Sequence, residues 1–204
     1  LFNSCKPMKK RASMTERGLP RAFLDTNVLY PLVIRDILLW FAYEELFVPF
    51  WSKHVLMEWS RVMKRSGLTQ PESQRRMHMI QEAFPFAMVR GYESLIEQLD
   101  LPDKDDRHVL AAAIRVGADF IVTQNLKDFP KSALSSFGIV ALNADAFLVG
   151  LIVCNPTKAL RAFKLMVKQR KRPVQSTQEV LQSLIKNDLK ESAALIHEMV
   201  SRHQ

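Results

Sequence analysis

Cysteine is nearly absent: Cys5 and Cys154 are the only two in 204 residues. Neither belongs to a metal-ligand spacing or a disulfide framework, so the expected compartment is the reducing cytoplasm. Long apolar runs are missing too. The best one, Ala146 to Cys154, is interrupted by Gly150 and falls far short of the roughly 20 residues a membrane helix needs. No membrane partner is expected. The opening residues, Leu1 to Pro20, are basic and polar and contain no apolar signal region. Residues 1–19 are expected to be disordered, or to stem from sequence upstream of a natural start at Met8 or Met14. No internal repeat or low-complexity segment interrupts the rest.

Acids are outnumbered, 21 Asp and Glu against 29 Lys and Arg, for a formal charge of +8. That balance favours a polyanion or an acidic protein as partner. A hydrophobic share of 48% and a charged share of 25% are those of a globular protein with a proper core. The length allows one domain and a small appendage.

The chain is organised around Arg21-Ala22-Phe23-Leu24-Asp25-Thr26-Asn27-Val28-Leu29. An apolar run ends in an acid, and helix-like sequence follows at once. In an open α/β sheet ligands gather at the carboxyl ends of strands, which would stand Asp25 in the crevice. Capping of the next helix by Asp25 is the equal alternative. Pro31 to Leu46 reads as a helix and Leu46 to Trp51 as a strand, with Pro49 marking its end or an edge position. Ser52 caps a helix over Lys53 to Arg65, whose stripe of Val55, Leu56, Trp59, Val62 and Met63 fits a period of 3.6. Glu58 lies at the seam between that stripe and the wet face. Thr69-Gln70-Pro71-Glu72 is a capping box opening the next helix.

Asp103 is a good N-cap for the helix that continues through Val109-Leu110-Ala111-Ala112-Ala113-Ile114. Asp106 shares a face with Val109, Leu110 and Ala113, where a carboxylate is costly unless paired or bound to a metal. Asp105 stands in a similar relation to Val109 and Ala112, so periodicity does not choose between the two. Asp119 to Thr123 reads as a buried strand with Gln124-Asn125 at its carboxyl end, Leu126 to Pro130 as a loop, Gly138 to Leu142 as a strand and Ala144 to Val153 as a helix. Alternating strands and helices predict a parallel, helix-covered sheet over residues 20–154. Residues 155–204 read as an α-helical extension. Its first helix ends in the basic run Lys168 to Arg172, expected to be solvated, and Ser176-Thr177-Gln178-Glu179 is a second capping box.

Asp25, Glu58 and Asp106 thus converge in principle, with Asp103 and Asn125 as neighbours. Clustered carboxylates repel one another unless a cation neutralises them. Oxygen donors without cysteine or convergent histidine suit Mg²⁺ or Mn²⁺ better than Zn²⁺, and such an ion can stabilise charge on a phosphodiester.

The ordered set Leu24-Asp25-Thr26-Asn27, Glu58 in its helix, Asp103-x-x-Asp106 ahead of His108 to Ala113, and Ala118 to Asn125 resembles the successive motifs of PIN domains. Among these it is most similar to bacterial VapC-type toxins. The likeness covers about residues 21 to 148. It implies an α/β fold with a mostly parallel sheet between helices, and a Mg²⁺- or Mn²⁺-dependent endoribonuclease whose metal site is Asp25, Glu58 and Asp106. The resemblance picks Asp106 over Asp105. It also implies an RNA substrate, a small antitoxin protein as partner, and a surface on which a homodimer could form. Many PIN domains carry a fourth acid where this chain has Asn125, which puts a second metal ion in doubt and keeps a catalytically inactive RNA- or protein-binding module as the alternative.

Around the acids, Thr26, Asn27 and Thr123 are expected to bond acids or phosphate, with turn formation as the competing role. Arg61, with Lys53, Lys64 and Arg65, is a candidate phosphate contact against an equal expectation of a solvated face. His54 and His108 read as surface or core histidines. Asn27 disfavours a phosphohydrolase with Asp25 as nucleophile, because such enzymes of the haloacid dehalogenase type place an acid two positions on.

Overall fold

The computed structural model describes residues 18–171 and 173–202; the expectation for the N-terminal tail therefore lies almost wholly outside the described residues. Five strands form one sheet: β1 (Arg21–Leu24), β2 (Val48–Ser52), β3 (Met88–Val89), β4 (Phe120–Val122) and β5 (Val140–Leu142). Their order is β3-β2-β1-β4-β5, and every neighbouring pair is parallel. The sheet is α/β with helical connections, as the alternation predicts. Ala22, Phe23, Leu24, Ile121 and Val122 are fully buried, which is why the central strands read as continuous apolar runs rather than alternating ones.

The chain leaves β1 toward β2 on one side and later returns to place β4 on the other. The order reverses there, and the carboxyl ends of β1 and β4 are where an open α/β sheet places its ligand crevice. Leu24 is in register with Val122, and Asp25 and Thr123 therefore leave adjacent strands at one level.

Between the strands run α1 (Thr26–Leu29), α2 (Leu32–Tyr43), α3 (Lys53–Arg65), α4 (Gln70–Ala83), α5 (Glu93–Ile96), α6 (Arg107–Val116) and α7 (Lys131–Leu134). Ser52 accepts from the Val55 amide to start α3, and the Thr69–Glu72 box starts α4. Gly117, left-handed at φ 60°, ends α6. The sequence places Pro49 at a strand end or edge, yet β2 is internal. The Val48 amide bonds Pro20 on the β1 side and the Trp51 amide bonds Ala87 on the other. Pro49 thus faces the second side, where β3 pairs only Trp51 and Ser52, and its missing N–H costs no ladder bond.

Beyond α8 (Ala144–Cys154) come α9 (Pro156–Gln169), α10 (Thr177–Lys186) and α11 (Lys190–Ser201). Helix α9 lies along α2, and α11 lies along α8. Asp145 in the first turn of α8 accepts from the amides of Glu191 and Ser192 at 3.0 and 2.9 Å, capping α11 from outside its own sequence. Phe163, Met166, Leu184 and Ile196 are buried in the same apolar cluster as Phe23 and Leu24. The basic run at the end of α9 departs from the expected solvated face: Arg170 is only 8% exposed and pairs with Asp36 of α2. A cation inside a charge run is pulled in because α2 supplies a buried carboxylate opposite it, a relation that the local sequence does not carry. Arg172 lies outside the described residues. No helix among the described residues is long and apolar enough to cross a membrane.

Candidate active site

Asp25 sits at the junction of β1 and α1 and does two jobs at once. Its Oδ1 accepts from the Thr26 amide at 2.6 Å, so it caps α1. Its Oδ2 accepts from Asn27 Nδ2 at 2.6 Å and from Thr123 Oγ1 at 2.8 Å. Asp25 therefore caps α1 and also stands, buried, at the carboxyl end of β1. Asn27 returns the connection to β4 by accepting from the Gln124 amide at 2.8 Å. Thr123, fully buried, also accepts from Asn27 Nδ2 and from the Asn125 amide. Burial pushes the Asp25 carboxyl up, the hydrogen bonds from Thr123 and Thr26 oppose that, and the charge of Glu58 adds to the rise.

Glu58 stands on α3 opposite. Thr26 Oγ1 donates to its Oε2, and His108 Nε2 lies 2.8 Å from its Oε1. Partial burial raises this carboxyl, but the bonds from His108 and Thr26 outweigh that and hold it below its ordinary value. Of Asp25, Glu58 and Asp106, Glu58 is thus the acid whose ionised form folding favours, with a side chain 35% exposed. His108, read from sequence as an ordinary core or surface residue, is buried and works on Glu58. Its Nδ1 is buried without a partner among the described residues, which agrees with the ring hydrogen residing on Nε2. His54 lies beside it, ring centroids 5.2 Å apart, with Nδ1 2.6 Å from the Tyr92 hydroxyl.

The third acid arrives on α6. Asp103 caps a 3₁₀ turn at Lys104–Asp106 by accepting from the Asp105 amide at 2.9 Å. Asp106 occupies the N-cap position of α6 yet makes no side-chain capping bond. Asp105 is exposed, whereas Asp106 is half-buried. Asp106 is pushed up to about 6 by burial first, then by the charges of Asp25, Asp103 and Asp128.

Asp128 has no place in the sequence reading, which treats Leu126 to Pro130 as a loop. A 3₁₀ turn over Leu126–Asp128 brings it back toward the site, and Asn125 Nδ2 donates to its Oδ2. Asn125 therefore holds an acid instead of replacing one. The signal in the sequence was the acid three positions after the amide, the reach of one such turn. Ligand oxygens of Asp103, Asp106 and Asp128 lie within 4.8 Å of one another. Asp25 and Glu58 are outside that triad; the charge of Asp25 acts on Asp106, and that of Glu58 acts on Asp25. Oxygen donors of one sign, exposed at Asp103 and less so at Asp106 and Asp128, repel one another and fit a hard divalent cation such as Mg²⁺ or Mn²⁺. Arg61 is not drawn into this group. It lines a cleft between α3 and α4 of about 380 Å³ with Lys53, Lys64 and Met77, and none of the acids lines it.

The PIN-domain family model matches residues 21–127, just over half of the chain. The chain belongs to the PIN-domain family. A second model, the VapC50 C-terminal domain, matches residues 144–198, the stretch from α8 into α11. A Mycobacterium tuberculosis protein named "Putative ribonuclease VapC50" is 51% identical over 63 residues, which is 31% of this chain and 37% of that relative. The match thus takes in little more than a third of the relative's length. No solved structure matches. Within the PIN-domain frame, Asp128 falls one residue beyond the matched segment, which adds to the reasons it escapes a motif reading.

Proposed function

We propose that this PIN-domain protein is a Mg²⁺- or Mn²⁺-dependent endoribonuclease of the VapC type, acting as the toxin of a toxin–antitoxin pair in the cytoplasm. The observation that carries the reading is the acidic group Asp103, Asp106 and Asp128, whose oxygens lie within 4.8 Å of one another, with Asp25 near enough to raise Asp106 and Glu58 near enough to raise Asp25. Residues 20–154 form the nuclease domain and residues 155–204 its helical extension. The name of the mycobacterial relative supports ribonuclease as the activity, and the formal charge of +8 suits RNA as substrate.

Asp103, Asp106 and Asp128, with Asp25 beside them, would hold the cation. Bound there, Mg²⁺ or Mn²⁺ supplies Lewis-acid charge to the scissile phosphodiester. Glu58, kept ionised and reachable by solvent, orients the attacking water toward phosphorus. Thr123 and Asn27 fix the Oδ2 face of Asp25, while His108 and Thr26 fix the two oxygens of Glu58, so both acids meet the substrate in one orientation. Unpaired loops of RNA are the natural target, because splayed bases leave the backbone accessible. A small antitoxin protein is the partner, and the toxin pairs as a homodimer.

The inactive binding module is weakened by Asp128, which restores the charge that Asn125 lacks. The test is incubation of the protein with structured RNAs and Mn²⁺ beside Asp25→Asn and Asp106→Asn. Cleavage by the native chain and its loss in both variants is expected. Equal cleavage in all three, or none by the native chain with any RNA, contradicts the proposal.

A further inference from the structure

Three charged side chains outside the cleft are buried together where α2 meets the end of α9. Arg35, Asp36 and Arg170 are 7%, 5% and 8% exposed. Arg170 reaches Asp36 Oδ2 at 3.3 Å, and Asp36 Oδ1 lies 3.9 Å from Arg35. Arg170 also donates to Gln175 at 2.6 Å, which ties it to the turn before α10. Burying such a set costs desolvation that the pairing alone does not clearly return, so conformational specificity is the use to look for.

That use is visible at the other end of the chain of charges. Arg35 Nη1 donates to the Leu29 carbonyl at 3.0 Å, and its guanidinium lies 5.0 Å from the Trp59 ring centroid. Leu29 ends α1, the helix that Asp25 caps and whose Thr26 donates to Glu58. Trp59 follows Glu58 on α3. One guanidinium thus touches both elements that carry the two acids. Helix α1 has only four residues, too few to hold itself together, and Arg35 gives its last carbonyl a donor.

We propose that Arg170 and Asp36 are positioning residues through which the C-terminal helices, by way of Arg35, fix α1 against α3 and so set Asp25 opposite Glu58. The extension is then a working part of the site. Only the catalytic consequence rests on the ribonuclease reading; the mechanical one does not.

The experiment is hydrogen exchange on the full chain, read at the Val28, Leu29 and Tyr30 amides, which bond Asp25 and Thr26 carbonyls. Arg170→Met leaves Asp36 its Arg35 partner and is expected to speed exchange there about tenfold while β4 amides stay as in the native chain. Arg161→Met, which breaks a contact with Glu44 near the opposite end of α9, is expected to leave α1 unchanged. Asp36→Asn, similar in shape, should reproduce the effect of Arg170→Met and decides the matter if that variant does not fold. Alpha1 exchange unchanged in the variant that folds, or accelerated equally by Arg161→Met, overturns the proposal. On RNA, Arg170→Met should lower kcat on the order of tenfold with KM unchanged. A native chain that cleaves no RNA would sink the ribonuclease reading and leave this one to the exchange result.

Discussion

His108 Nε2 lies 2.8 Å from Glu58 Oε1 across fifty residues of chain, so the helix that follows Asp106 also steers the acid on α3. The imidazole donates to an ionised carboxylate, a bond of about 1.5–3 kcal/mol. His108→Ala removes that donor and frees the Glu58 side chain. The expected result is a fall in kcat of about 10- to 100-fold, with Glu58 titrating closer to its ordinary value by NMR. His108→Gln, which keeps a donor, should recover part of the rate.

The acids of the cleft make metal-free stability depend on pH with a definite sign. Asp106 is raised from 3.8 to about 6 by folding, and Asp25 is raised for the same first reason, burial. Their contribution to stability is complete below the unfolded value and is lost as pH rises through the folded one. Glu58 acts oppositely: lowered from 4.5, it contributes fully above that value and loses its share only in stronger acid. Between pH 5 and 7 the first effect is the one that changes, so the metal-free melting temperature should fall across that window. Mn²⁺ should raise the melting temperature more at pH 7 than at pH 5, because the ion needs Asp106 ionised. Thermal scans at both pH values with and without Mn²⁺ check this.

Asn125 Nδ2 donates to Asp128 Oδ2, so in the proposed metal site the acid would be the ligand and the amide its holder. Asp128→Asn should weaken Mn²⁺ binding at least tenfold in calorimetry, about what loss of one charged ligand costs. Asn125→Ala should weaken it less, since Asp128 remains. Equal losses, or a larger loss in Asn125→Ala, would assign the ligand to Asn125.

Much of this site is legible in sequence because its carriers are local. Asp25 follows a buried parallel strand, Ser52 and Thr69 announce helix starts, and Asp106 sits where a packed stripe makes a free carboxylate costly. What escapes depends on tertiary distance. His108 looks like one more residue in an apolar helix until α3 is set beside it. Arg170 looks solvated until α2 offers Asp36. Asp128 is hidden by its 3₁₀ turn, whose three residues (Leu126–Asp128) are too few for any periodic signal. Pro49 misleads for a related reason, because its edge-like environment comes from β3 being short.

The C-terminal helices share the apolar cluster of the sheet domain, and Phe163 on α9 is fully buried in it. Phe163→Ala should cost about 3–5 kcal/mol and lower the melting temperature of the whole chain in a single transition. Two separated transitions in a calorimetric scan would mean that the extension unfolds on its own.

The most direct test of the shared metal site is anomalous diffraction from crystals soaked in Mn²⁺. The predicted result is a peak with carboxylate oxygens of Asp106 and Asp128 at about 2.1 Å and Asp25 facing the same ion. Saturating Mn²⁺ that leaves this cleft without a peak, or binds only at acids elsewhere, would contradict the account.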